Sequence, residues 1–190
     1  MEPTDEELMS RWVLGEVQAF EQLFARLAPR VHGFFLRSLR DPSVADDLLQ
    51  VTFMKVHRAR EQYRPGLLLK PWLFAIAARV RLDELRRRKR MPEDADEEVL
   101  ARADEAEAAA GVDEAGAADA RGELQERVRG ALERLPENQR AVIHLHRYEG
   151  LTFPEIAQIL GTTPGAVKLR AFRGYERLRV ELRDLLGELS

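Results

Sequence analysis

Lys168, Arg170 and Arg173 lie on the second of two short helical segments in Thr152–Arg173, TFPEIAQILGTTPGAVKLRAFR. Cations in such a row suit phosphate oxygens and the acceptor-rich edge of guanine, and an α-helix is the element that fits a DNA major groove. Local rules place both helices. Thr152 with Glu155 three residues on forms a capping box, which starts a helix near Phe153. Ile156, Ala157, Ile159 and Leu160 give that helix an apolar face. Gly161 suits the left-handed conformation that ends it. Thr163 then caps a second helix with Pro164 at its first position. The pattern predicts a helix-turn-helix with a basic recognition helix, and points to DNA rather than to a small molecule.

A second basic constellation is the segment Pro71–Arg90, PWLFAIAARVRLDELRRRKR. Trp72, Leu73, Ile76, Ala77, Val80 and Leu85 can face a core. Arg79, Arg81, Arg86, Arg87, Arg88, Lys89 and Arg90 occupy the remaining surface, where a phosphate backbone would attract them through counterion release. Tyr63, in the loop just before, would suit stacking on unpaired bases beside these arginines. A solvated basic helix end, favoured by the helix dipole, explains the same run equally well. On the preceding helix, Asp47, Gln50, Met54 and Arg58 fall on one outward stripe, which is either a wet face or a protein-docking surface. Catalytic chemistry has little support. His144 and His146 are two apart, which points them to different sides of a helix, and the spacing of helical metal pairs is three or four. The chain shows no glycine-rich phosphate loop or nucleophile motif, so neither an enzyme, a metal site nor a cofactor is expected.

These segments sit in a chain of 190 residues without cysteine, so disulfide, thiol and thiolate-metal chemistry are excluded. No apolar run approaches a membrane span and the acidic N-terminus does not resemble a signal peptide; a cytoplasmic protein without membrane insertion is expected. The net charge of −3 conceals a division. Residues 1–90 hold 17 basic and 12 acidic side chains, residues 91–120 one and 11, and residues 121–190 12 and 10. The acidic stretch, rich in Ala, Glu and Asp with Gly111 and Gly116, holds too few large apolar residues to offset its ordering entropy. It reads as a flexible linker over 91–121, with transient helix around Val99–Ala110.

The expected fold is all-α: two small helical domains, 1–90 and 122–190, joined by that linker. In the first, Thr4 and Glu7 cap a helix reaching about Ala28. Pro29 opens the next, which Asp41-Pro42 stops. Ser43 caps a third, and after a loop over Gln62–Lys70 a fourth begins at Pro71. No strand pattern or repeat is present.

Taken in order, DDLLQVTFMKVHRAREQYRPG with PWLFAIAARVRLDELRRRKR resembles region two of bacterial RNA polymerase sigma factors of the extracytoplasmic-function group. LERLPENQRAVIHLHRYEGLTFPEIAQILGTTPGAVKLRAFRGYERLR resembles their region four. The resemblance covers nearly the whole chain outside the linker, and the ordered pair is far more specific than either motif alone. It implies a protein that binds core RNA polymerase and directs initiation at chosen promoters, for a stress or envelope response under an anti-sigma factor. The first domain would dock on the polymerase through Asp47, Gln50 and Met54. It would recognise and open the minus-ten element through Tyr63, Arg79, Arg81, Arg86 and Arg87. The second would read the minus-thirty-five element through Lys168, Leu169, Phe172 and Arg173, with Glu155 and Arg170 bracing the two helices. The linker would thread toward the active-site cleft. Three positions depart from the family pattern: Val51 stands where Glu is common, Arg79 where Asn is common, and Leu169 where a small polar residue is common. The competing readings are a free-standing helix-turn-helix regulator and a sigma-like decoy that binds polymerase without opening DNA.

Overall fold

The computed structural model describes residues 2–89 and 120–183. The expected linker and its transient helix lie outside the described residues, except for positions 120 and 121. Among the described residues every regular element is helical. The first block comprises α1 (Asp5–Val13), α2 (Val17–Leu39), α3 (Pro42–Ala59), a 3-10 turn (Arg60–Gln62) and α4 (Leu69–Lys89). The second comprises α5 (Ala120–Glu133), α6 (Glu137–Arg147), α7 (Phe153–Leu160) and α8 (Pro164–Glu181). No helix among the described residues is long and apolar enough to cross a membrane.

Several boundaries differ from the sequence reading. The Thr4–Glu7 capping box forms, with Glu7 N–H donating to Thr4 Oγ1 at 3.1 Å. The helix it opens stops at Val13, because Gly15 takes φ of 99° and turns the chain. Pro29 does not open a new helix; α2 runs through it for 23 residues. The proline forfeits one backbone hydrogen bond, but Leu27, Ala28, Val31, Phe34 and Phe35 are all buried around it, so tertiary packing holds the helix together. Asp41, not Ser43, caps α3: its carboxylate accepts from Val44 N–H at 3.1 Å and Pro42 takes the first position. α4 starts at Leu69, two residues before Pro71, since Glu6 of α1 accepts from Leu69 N–H at 3.0 Å and anchors the start. α5 begins two residues before the expected domain start at Gly122.

The core is continuous across both blocks. Phe34, Phe35, Phe74, Leu73 and Leu8 fill the first, and Val142, Leu145, Ile156 and Val167 the second. α4 has apolar residues on more than one side, with Leu73, Phe74, Ala77, Ala78, Val80 and Leu85 all buried. It therefore packs against α3 on one side and α7 on the other. α2 likewise carries α6. The second block is thus held against the two longest helices of the first, α7 on α4 and α6 on α2.

Candidate nucleic-acid interface

The helix-turn-helix forms from its local signals. Glu155 Oε2 accepts from Thr152 N–H at 2.7 Å and from Thr152 Oγ1 at 2.6 Å, closing the capping box. Gly161 ends α7 in the left-handed region at φ of 66°. Thr163 Oγ1 accepts from Ala166 N–H at 3.2 Å and Pro164 opens α8. On α8 only Val167, Ala171 and Gly174 are buried, a narrow stripe at i, i+4 and i+7. Gly174 permits the close approach to α6: a Cβ there would lie 2.7 Å from Ile143 Cδ1 and 3.4 Å from Gln139 Cβ. With that stripe spent on the core, Lys168, Leu169, Phe172 and Arg173 all face outward, Phe172 at 63% exposure. Two cations between two large apolar side chains can pair with base edges or phosphates while touching thymine methyls.

The basic helix is divided. Arg79 is exposed, Arg86 half-buried and Arg87 exposed. Arg81 is buried and forms an ion pair with buried Glu137 at the start of α6. Arg79 therefore stays at the solvent-facing edge of α4 while Arg81 is turned into the contact with α6. Glu84 binds Arg87 through both carboxylate oxygens, at 2.7 and 3.0 Å, and also accepts from Arg88 Nε at 2.8 Å. These bonds, Arg87's foremost, hold the Glu84 carboxyl below its usual range. Arg79, Arg81 and Arg170 line a cleft of about 260 Å³ between α4 and the helix-turn-helix. Arg170 is half-buried there, and the Glu155 carboxylate is engaged with Thr152.

Tyr63 is placed unlike the sequence reading. Its ring is 4% exposed and meets Trp72 edge-on at 5.5 Å, while its hydroxyl donates to the Leu67 carbonyl. Burial pushes its phenol pKa up. It braces the loop, and the side chains that loop presents are Leu67 and Leu68, both more than half exposed. On α3, Asp47, Gln50 and Met54 are exposed as one stripe, with Val51 beside them. The inner face of α3 is spent on Ala45, Leu48, Phe53 and Val56.

The contacts joining the two blocks escaped the sequence reading. Besides Arg81–Glu137, Arg30 Nε donates to Glu149 Oε2 at 2.8 Å. Buried Arg140 donates to the Ser38 carbonyl at 2.8 Å and to the Glu133 and Leu135 carbonyls at 2.7 and 3.1 Å. One signal was present. Arg81 has Ala77, Ala78 and Leu85 at helical spacings of four and three, and an arginine centred on an apolar stripe calls for a buried partner.

Residues 23–91 match the family described as sigma-70 region 2, and residues 125–178 the family described as sigma-70 region 4. The chain is 41% identical over 182 residues to RNA polymerase sigma factor CarQ of Myxococcus xanthus, covering 96% of this chain and 97% of that protein. It is 33% identical over 189 residues to ECF RNA polymerase sigma factor SigM of Mycobacterium tuberculosis (strain H37Rv), covering 100% and 88%. Among solved structures it is similar to the sigma factor RpoE in complex with the anti-sigma factor NepR from Bartonella quintana. The TM-score is 0.65 at 26% identity, over 88% of this chain and 98% of that one. The chain belongs to the extracytoplasmic-function (ECF) group of the sigma-70 family of bacterial RNA polymerase sigma factors.

Proposed function

We propose that this chain binds core RNA polymerase in the cytoplasm and directs it to a set of promoters, under control of an anti-sigma factor. It is an initiation factor: bond formation belongs to the polymerase, and this chain supplies position and binding energy. The observation that carries the reading is the outward face of α8, where Lys168, Leu169, Phe172 and Arg173 stand free of the core. These residues read the minus-thirty-five element. Asp47, Gln50 and Met54 dock the polymerase. The loop braced by Tyr63, with Arg79, Arg86 and Arg87, holds the opened minus-ten strand. Extruding a base costs a few kcal/mol, which contacts to the displaced strand must offset.

Arg81 joins that group only when the blocks part. Elements named for positions ten and thirty-five lie about 25 base pairs apart, or roughly 85 Å of duplex at 3.4 Å per base pair. Here α4 and α7 are in contact. One chain in this arrangement does not span both elements, so initiation requires that α6 and α7 leave α2 and α4. The anti-sigma factor would act by holding the blocks in a form unable to bind polymerase.

The test is transcription in vitro with core polymerase on the promoter of the chain's own gene and on genomic fragments. A start site that depends on this protein is expected. Core binding without initiation would make the chain a decoy. Duplex binding without core binding would make it a free-standing regulator.

A further inference from the structure

The contact between α2 and α6 is built around a histidine that neither recognition surface uses. His144 is 2% exposed. Its ring lies 5.4 Å from that of Phe34 on α2 and stacks on Tyr148 at 5.2 Å. Nε2 is 3.4 Å from Glu149 Oε1, and Nδ1 is buried with no hydrogen-bond partner among the described residues. The charged groups around it come from α2, from α4 and from the end of α6. Glu149 follows α6. Arg30 and Arg37 come from α2, Arg30 bonded to the second Glu149 oxygen and to the Tyr148 carbonyl, Arg37 lying 4.5 Å from the Tyr148 ring centre. Arg81 of α4 lies 5.7 Å from the centre of the Phe34 ring. The cluster thus holds three guanidinium groups and two carboxylates, Glu149 bonded to Arg30 and Glu137 paired with Arg81, and is net positive before the ring takes up a proton. A further positive charge on the buried ring would be poorly hydrated and poorly compensated.

We propose that His144 makes the α2–α6 contact a proton-sensitive latch, which holds the two blocks together while the imidazole is neutral and releases them when it takes up a proton. The consequence for transcription rests on the reading that initiation needs the blocks apart; the latch itself does not. Parting removes Phe34 and α2 from the ring and lets water reach it, so the open chain accommodates an imidazolium that the closed chain does not. Burial lowers the His144 pKa from its ordinary value of 6.5, against the opposing pull of Glu149. A histidine whose pKa is lower in the closed form binds more protons in the open one. Closure is therefore fully favoured above about pH 6.5 and weakens as pH falls below it. With His144 neutral throughout in the closed form, the open-to-closed ratio rises by up to about tenfold between roughly pH 7.5 and 5.5.

The chain has no cysteine, so dye pairs can be placed at will. Gln22→Cys and Val180→Cys are both exposed and lie one in each block. Energy transfer between them in the full chain reads the distance. A Glu137→Gln background loses the Arg81 pair, leaves the groups touching the His144 ring in place and brings the open form into measurable range. There, transfer is expected to fall from pH 7.5 to 5.5, and His144→Gln to abolish the dependence. A response that survives His144→Gln, or no response with His144 present, overturns the latch. Should His144→Gln lose helicity, a ring-proton titration of His144 in the unaltered chain replaces it, and a pKa at or above 6.5 overturns the latch equally. Failure of the sigma reading would show as absent polymerase-dependent transcription, on which neither measurement depends.

Discussion

Glu137→Gln isolates the energetics of closure. In the closed arrangement Glu137 and Arg81 are both buried, each compensating the other. Removing one member of a buried pair costs about 3–5 kcal/mol, because the remaining charge is left in a low-dielectric site. In this chain that penalty has an exit. When α6 leaves α4, Arg81 reaches water and the cost vanishes, so it falls on the closed form alone. At 1.4 kcal/mol per factor of ten, the open-to-closed ratio should rise by about 140- to 3,700-fold. Loss of a first-turn carboxylate from α6 costs a further ~0.3–1 kcal/mol in both forms and cancels from the ratio. Small-angle scattering of the full chain should show a larger radius of gyration, and energy transfer between dyes on the two blocks should fall. Replacing both partners, Arg81→Met with Glu137→Met, should restore closure, because an apolar pair of similar size is neutral or stabilising where a lone charge is not. An unchanged radius in Glu137→Gln, with or without a drop in thermal stability, would refute the claim that this pair holds the blocks together.

Lys168→Ala or Arg173→Ala should each cost about 1–3 kcal/mol at promoters carrying the preferred upstream element and little elsewhere, measured by transcription across an upstream-element library; uniform loss across the library would reduce both to phosphate contacts. Gly174→Ala should destabilise the chain by about 1–3 kcal/mol, read as a lowered melting temperature, since its Cβ would collide with Ile143. Gln50→Ala with Met54→Ala should weaken binding to core polymerase while leaving melting temperature and duplex binding unchanged, because both side chains are exposed; a fall in stability instead would return the stripe to a structural role.

The helix-turn-helix was legible because its determinants are local. A capping threonine bonds a backbone three residues away, and a glycine end or a proline start acts within one turn, so Thr152, Glu155, Gly161, Thr163 and Pro164 read the same in isolation as in the fold. The same locality explains the misreading of α2. Pro29 carries a strong local stop signal, but it is overruled by the burial of residues on both sides of it, which depends on α3, α4 and α6. At the start of α3 the expected cap Ser43 lies inside the helix, because Asp41 takes the cap position with Pro42 at the first helical residue.

Arg81 changed role because its partner lies far along the chain. Arg79 and Arg81 are equivalent as composition, and both count toward a basic helix. They separate only when the helix is given a second neighbour, because the apolar stripe through Ala77, Ala78 and Leu85 that carries Arg81 faces inward while Arg79 remains in water. Glu137 completes the pair across 56 positions, beyond any periodicity a sequence window reads. The acidic groups of the second block thereby do more than balance charge. Glu137 covers Arg81 and Glu149 covers Arg30, so each carboxylate neutralises a cation of the first block in the closed chain, and the proposed opening would free it. A surface meant for a phosphate backbone must be cationic when it meets DNA, yet a free chain that displays all its cations would bind any nucleic acid it met. Intramolecular carboxylates resolve that conflict at Arg81 and Arg30 by making exposure of the charge depend on opening. The measurable consequence is that Glu137→Gln should raise nonspecific DNA affinity of the free chain and steepen its salt dependence, whereas a variant confined to α8 should change neither the closure nor the number of cations that closure conceals.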